Sequence, residues 1–283
     1  MNKRCSAVYT YQSSSITRER GICDACSSAG TSAATTSSNT GRRAKRCTNR
    51  NRRLRSMRFK DWRGSIYKSS LEEAALLSEE YLTSKDLKWS QVKGDVNVQV
   101  LESNPIPTSS PDEDTMWPVI KARVTINGIK PKELCNLLMD SDRVSEYNQY
   151  ATCRIDLEEL KNPKKGVVEK IVWSKTNNPF KLKPYDFVSL MRSAPSEKGG
   201  YRIITRGCTH AKAPAHADYV RSHVVLGVNE IQKTSRGSVI TIIQQSRYKG
   251  IPQWFVQKMN TVGTVNYLIA LQEDCEKKGL ERT

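Results

Sequence analysis

IPQWFVQKMNTVGTVNYLIALQEDCEKK, residues Ile251–Lys278, reads as the longest amphipathic helix of the chain, and its reading decides the fold. Pro252 stands at a first-turn position, where a missing N–H loses no hydrogen bond. Trp254, Phe255, Met259, Val262, Val265, Leu268 and Ile269 recur at helical spacing and cover about half the circumference. Gln257, Asn260, Gln272, Glu273 and Glu276 mark the wetter positions. Lys277 and Lys278 complement the helix dipole just before Gly279, which is suited to stop the helix. So broad an apolar face needs a large concave partner. Two readings satisfy it: a core helix packed flat on a sheet, or a lid over a hollow sheet. Periodicity alone weighs toward the first.

Working outward, most of the preceding chain reads as strand. Ser69 or Ser70 can cap a helix through Leu71, Ala74, Ala75, Leu77 and Leu82, with Glu72 and Glu73 in its first turn. A strand region starts at Trp89, and Asp95–Leu101 alternates with Val96, Val98 and Val100 on one face. Asn104–Asp114 is a Pro/Ser/Asp loop. A strand over Val119–Ile126 precedes a short helix, Pro131–Met139, and a second helix or turn ending at Tyr147. Strand candidates follow at 150–159, 166–175, 186–194, 201–209, 219–231 and 238–246. Asn162-Pro163, Asn178-Pro179, Gly199-Gly200, Ala213-Pro214 and Arg236-Gly237 supply the turns between them. The order gives an α+β fold, one strongly curved antiparallel sheet with one dominant helix.

The chain has 283 residues and a net charge of +17, unevenly spread. Residues 1–56 hold 12 Lys+Arg against two acids (Glu19, Asp24), with 10 Ser and 7 Thr. Such a tail buries too little apolar area to offset its chain entropy, and disorder is expected. Its composition suits either a basic linker or an organellar (plastid or mitochondrial) transit peptide. A cluster from Arg42 to Arg55 also permits RNA binding, although no aromatic is interleaved there. No apolar run reaches transmembrane length. Cys135, Cys153, Cys208 and Cys275 are scattered, as in a reduced intracellular protein, and Cys23 and Cys26 lack well-spaced partners for zinc.

Catalytic signatures are missing: no G-x-S-x-G, phosphate-binding glycine loop, dinucleotide fingerprint or H-E-x-x-H occurs. His210, His216 and His223 read as loop or surface histidines rather than metal ligands, and neither metal nor cofactor is expected. Glu169 shares a strand face with Ile171 and Trp173, so it is either paired or a polar anchor inside a cavity. In the proline-bounded stretch Lys175–Pro184, Phe180 and Leu182 alternate with Lys181 and Lys183. That pattern suits a membrane-facing gate loop, with apolar tips entering lipid and ammonium groups meeting anionic heads. Folding back into the core is the simpler alternative.

Taken together, Trp89, the strand-and-helix block Met116–Tyr147 with Leu137-Leu138-Met139-Asp140, Pro184-Tyr185-Asp186-Phe187-Val188, Tyr219-Val220-Arg221 and Lys249-Gly250-Ile251-Pro252 resemble a START domain, the steroidogenic-acute-regulatory-protein-related lipid-transfer family. The resemblance covers 66–280. It implies a helix-grip fold, in which a curved antiparallel sheet wraps the C-terminal helix and encloses a hydrophobic tunnel for one lipid. It also implies that Asn177–Pro184 and the last helix gate that tunnel. Met191 stands where many members carry an arginine, and Arg192 falls on the opposite strand face.

The expected function is therefore non-enzymatic: a monomer binds one lipid (phospholipid, sterol or other) and transfers or senses it during transient contact with an anionic membrane surface. It would be cytoplasmic unless the tail directs import. The expected cavity set is Glu169, Ile171, Trp173, Phe187, Ser189, Met191, Ile203, Thr205, Phe255, Met259 and Val262, with Phe180, Lys181, Leu182 and Lys183 as the gate loop. A cyclase- or hydrolase-like enzyme of a small hydrophobic substrate is the alternative in the same cavity.

Overall fold

Alternating apolar residues and glycine-containing turns give a strand-rich chain, and a computed structural model describes residues 67–85, 87–92, 97–101, 117–161, 164–177, 183–197 and 199–280. Residues 1–66, which include the basic tail, lie outside the described residues, as do Val96, the 104–114 loop and Phe180, Lys181 and Leu182. Helix α1 spans 67–83. It is followed by β1 (Trp89–Val92), β2 (Asn97–Leu101), β3 (Ile120–Asn127), α2 (Pro131–Met139), α3 (Val144–Tyr147), β4 (Ala151–Leu160), β5 (Val168–Thr176), β6 (Tyr185–Ser196), β7 (Gly200–Gly207), β8 (Val220–Arg221), β9 (His223–Lys233), β10 (Gly237–Arg247) and α4 (Gln253–Leu280).

Among the described residues the strands form one sheet in the order β1-β2-β3-β10-β9-β7-β6-β5-β4, with β8 pairing β6. Every pair is antiparallel except β6–β8. Register shifts at Gln245/Ser246 in β10 and at two points of β4 bend the sheet, as bulges do. The expected single strand over 219–231 divides at Ser222 into β8 and β9, because β8 leaves its neighbour to pair with Tyr185 and Asp186. Gly200 opens β7 against β9, where an added Cβ would lie 1.8 Å from the Ile231 carbonyl oxygen. Gly200→Ala is therefore expected to lower stability by about 1–3 kcal/mol through forced separation of the two strands, read as a lower urea midpoint with unchanged slope.

Both faces of the sheet are covered. Leu71, Ala74, Leu77 and Tyr81 of α1 join Ile171, Trp173, Val188, Leu190, Ile204 and Leu226 in one apolar cluster. Arg202 reaches Glu79 at 2.8 Å and Glu230 at 2.5 Å, tying α1 to that outer face. On the inner face Leu134, Leu137 and Leu138 of α2 and Leu268, Leu271 and Cys275 of α4 pack with Ile120, Ala122, Ile203, Ile231 and Ile240.

Helix α4 departs from its sequence reading in rotation and length. Its buried line is Val256, Asn260, Thr264, Leu268, Leu271 and Cys275, while Trp254 is 68% and Val262 48% exposed. Asn260, expected to be wet, points inward. The helix also continues through Gly279 to Leu280, since one glycine near a helix end weakens a helix without breaking it. The flat-packed and lid readings each describe half of α4. The C-terminal half joins the inner core, and the N-terminal half covers a cavity.

Candidate functional site

The cavity has a volume of about 580 Å³ and lies between the inner face of the sheet and the first half of α4. Strand alternation decides its walls. Val172, Ser174 and Thr176 enter from β5, Phe187, Ser189 and Met191 from β6, Thr205 from β7, Asn229 from β9, and Ile242, Gln244 and Ser246 from β10. Met259, Asn260, Val262, Gly263, Thr264 and Tyr267 line it from α4, and Tyr147, Tyr150 and Arg154 close the end near α3.

Of the expected cavity set, Phe187, Ser189, Met191, Thr205, Met259 and Val262 line this space. Ile203 shares the inner face but packs into the core with Met191 and Ile231. Glu169, Ile171 and Trp173 were assigned to the wrong face of β5. Ile171 and Trp173 belong to the outer cluster beneath α1, and Glu169 pairs with Arg192 at 2.5 Å. The reason is physical: α1 makes the outer face as dry as the inner one, so hydrophobicity along β5 does not distinguish them. Phe255 stands beside Trp254, ring centroids 5.6 Å apart, rather than among the lining residues. Of the gate-loop set, Lys183 is exposed and the other three lie outside the described residues. Asn177, where that loop begins, lines the cavity and donates its N–H to the Tyr150 carbonyl oxygen at 2.8 Å.

Several lining residues carry polar groups that the sequence reading passed over. Asn266 Nδ2 donates to the Tyr150 hydroxyl at 2.8 Å. Arg154 Nη2 donates to the carbonyl oxygens of Leu138 (2.8 Å) and Asp140 (2.6 Å), and its Nε to Ser141 Oγ (2.9 Å). Tyr248 packs edge-on against Tyr185 and Phe187, at 5.1 and 5.8 Å. Burial, then the neighbouring Tyr185, pushes the Tyr248 phenol up to about 12. Burial and Tyr147 raise the Tyr267 phenol far above its ordinary value. Both phenols are thus neutral hydrogen-bonding groups. The available signal was Gln244 and Ser246, two polar residues on one face at the end of an isoleucine-rich strand.

Outside the cavity, the Pro-Tyr-Asp-Phe-Val stretch has a structural explanation. Asp186 is wholly buried. It accepts Trp173 Nε1–H at 2.8 Å and a two-pronged contact from Arg221 at 2.9 and 2.7 Å. Arg221 also donates to the Ala213 and Pro214 carbonyl oxygens, so one carboxylate joins β5, β6, β8 and the preceding loop. His210 pairs with Glu158 at 3.0 Å and His216 with Asp218 at 3.3 Å.

No protein-family model matches the sequence, and no curated protein matches it. Solved structures do match. Human STARD10 is similar at a TM-score of 0.57 and 20% identity, over 69% of this chain and 75% of that one. Human StAR-related lipid transfer protein 5 is similar at a TM-score of 0.58 and 14% identity, over 74% of this chain and 98% of that one. A STAR-related lipid transfer protein fragment from Xanthomonas axonopodis gives a TM-score of 0.51 and 15% identity, over 66% of this chain and 98% of that one. The chain has a START-like fold, a curved antiparallel sheet gripping its C-terminal helix.

Proposed function

From this START-like fold we propose that the protein binds one lipid in the cavity beneath α4 and transfers or senses it at membranes, without chemistry on the lipid. The observation that carries this reading is the 580 Å³ space walled by Val172, Met191, Phe187 and Ile242 and roofed by a single helix. That volume falls within the ~300–1,000 Å³ of sites that enclose one small ligand. Apolar walls supply affinity with few polar contacts, since each large group removed from water contributes ~1.5–3 kcal/mol.

The enzyme alternative has weaker support. General acid–base catalysis needs a group that changes protonation near the working pH. Among the described lining residues there is no Asp, Glu, His or Lys, and burial keeps the Tyr147, Tyr248 and Tyr267 phenols neutral.

Membrane contact is proposed at the start of α4. Trp254, Lys258 and Val262 follow one another at i, i+4 and i+8, all exposed. Val262 also lines the cavity, so this stripe borders its mouth. An exposed tryptophan beside a lysine suits a lipid headgroup layer. No helix of the described residues is long and apolar enough to cross a membrane, so the contact would be peripheral. The test is transfer of a fluorescent lipid between donor and acceptor vesicles. Trp254→Ser should slow transfer about tenfold or more, from loss of ~1.5–3 kcal/mol of apolar insertion. Lys258→Glu, a change of two charges at ~1 kcal/mol per charge, should slow it about thirtyfold on anionic vesicles at low salt, and little at high salt. Wild-type protein that moves no lipid between vesicles would refute the transfer reading. Unchanged rates in both variants would put the membrane contact elsewhere.

A further inference from the structure

Halfway along its inner face, α4 presents polar groups where a dry interface would need apolar ones. Asn260 is 5% and Thr264 3% exposed, and both line the cavity. Asn260 Nδ2 and Thr264 Oγ1 are buried without a hydrogen-bond partner among the described residues. Residues four apart lie one above the other on a helix, so both donors address the same space. Gly263 keeps the wall low beside them: the nearest atom to an added Cβ would be Tyr150 Cε2, 4.0 Å away. Native folds rarely bury donors unpaired, and a pair aimed into a cavity points to an acceptor that arrives with a ligand.

The charge around the cavity narrows that ligand. The described lining holds no Asp, Glu, Lys or His, and its one cation is Arg154. The guanidinium of Arg154 is directed at the Leu138 and Asp140 carbonyl oxygens, at the negative end of the α2 dipole. A charged head drawn inside would leave water without a free opposite charge to meet it.

Resting on the lipid reading above, we infer that the cargo is an uncharged amphiphile whose hydroxyl or carbonyl oxygen accepts hydrogen bonds from Asn260 Nδ2 and Thr264 Oγ1. Its apolar body lies against Val172, Met191 and Ile242. Asn260 and Thr264 then set head-group specificity.

The test uses the full chain with monomyristoylglycerol and myristoyl-lysophosphatidate, which share a chain and glycerol and differ by one phosphate. Binding is followed by tryptophan fluorescence below the micellar concentration. The neutral lipid should bind about tenfold tighter or more. Thr264→Val and Asn260→Leu should each weaken the neutral lipid about three- to tenfold. Thr264→Val, nearly the same shape, should leave the ligand-free Tm nearly unchanged, because the hydroxyl makes no hydrogen bond to another described residue. A purely structural role would instead lower Tm and weaken both lipids alike. Equal or tighter binding of lysophosphatidate would overturn the inference, with Arg154 as the head site. Unchanged affinity in Thr264→Val would overturn it too. If neither probe binds but another lipid is retained from mixed vesicles, this inference falls and the lipid reading stands; if no lipid is retained at all, both fall.

Discussion

Asp186→Ala is expected to lower the unfolding free energy by about 3–5 kcal/mol, the range for breaking a buried pair by removing one partner. Three elements lose their join at once. Trp173 Nε1–H, 2.8 Å from the carboxylate, is left buried without an acceptor. The Arg221 guanidinium loses its counter-charge while still held at the Ala213 and Pro214 carbonyl oxygens. The parallel pairing of β8 with β6 loses the side-chain contact beneath it. Against the ~5–15 kcal/mol that holds a domain folded, the change is large enough to populate the unfolded state at physiological temperature. Asp186→Asn keeps the size and one acceptor oxygen and should cost about half as much. Urea unfolding followed by tryptophan fluorescence distinguishes the two, and equal stability of Asp186→Ala and wild type would refute the account of this network.

Gly263→Phe is expected to narrow the cavity and weaken lipid binding while keeping the fold. Gly263 sits in mid-helix on the face that lines the cavity, between Val262 and Thr264. A Cβ there has room, since its nearest neighbour would be 4.0 Å away. Replacing a helical glycine contributes about 0.5–1 kcal/mol of backbone stabilisation. A phenyl ring directed into the cavity fills part of the space beside Asn260 and Thr264 and competes with whatever ligand occupies that volume. Lipid extracted per chain should fall several-fold, with Tm unchanged or raised. Full lipid content in a folded Gly263→Phe protein would mean that ligands bind somewhere other than beneath α4. A variant that unfolds directs the same question to Gly263→Ala, which should fold and lose little.

Much of this architecture was legible in the chain. Alternation and turn chemistry gave the strand succession from 150 to 246, and the proline-opened, lysine-ended segment gave the last helix. What could not be read was which face of each strand meets the cavity. β5 is apolar on both faces because α1 covers one and the cavity lies at the other, so Ile171 and Trp173 carried no sign of their direction. On β6 the alternation was decisive, because Arg192 must avoid the interior and in fact meets Glu169. The rotation of α4 escaped for a related reason. A helix over a dry sheet buries its most apolar stripe, but α4 covers a cavity with half its length, so Asn260 and Thr264 face inward and Trp254 faces out. Polar residues inside a cavity and polar residues at a surface look the same in sequence. The β8–β9 division at Ser222 is set by tertiary pairing with β6, which no local pattern announces.

The most direct measurement is native mass spectrometry of the full chain after incubation with vesicles of mixed lipid composition, followed by identification of the released ligand. The account predicts a single adduct of one uncharged lipid per chain, reduced several-fold in Gly263→Phe and retained in Trp254→Ser. A chain that stays ligand-free against every lipid offered, or that carries several lipids in non-integral amounts, would contradict it.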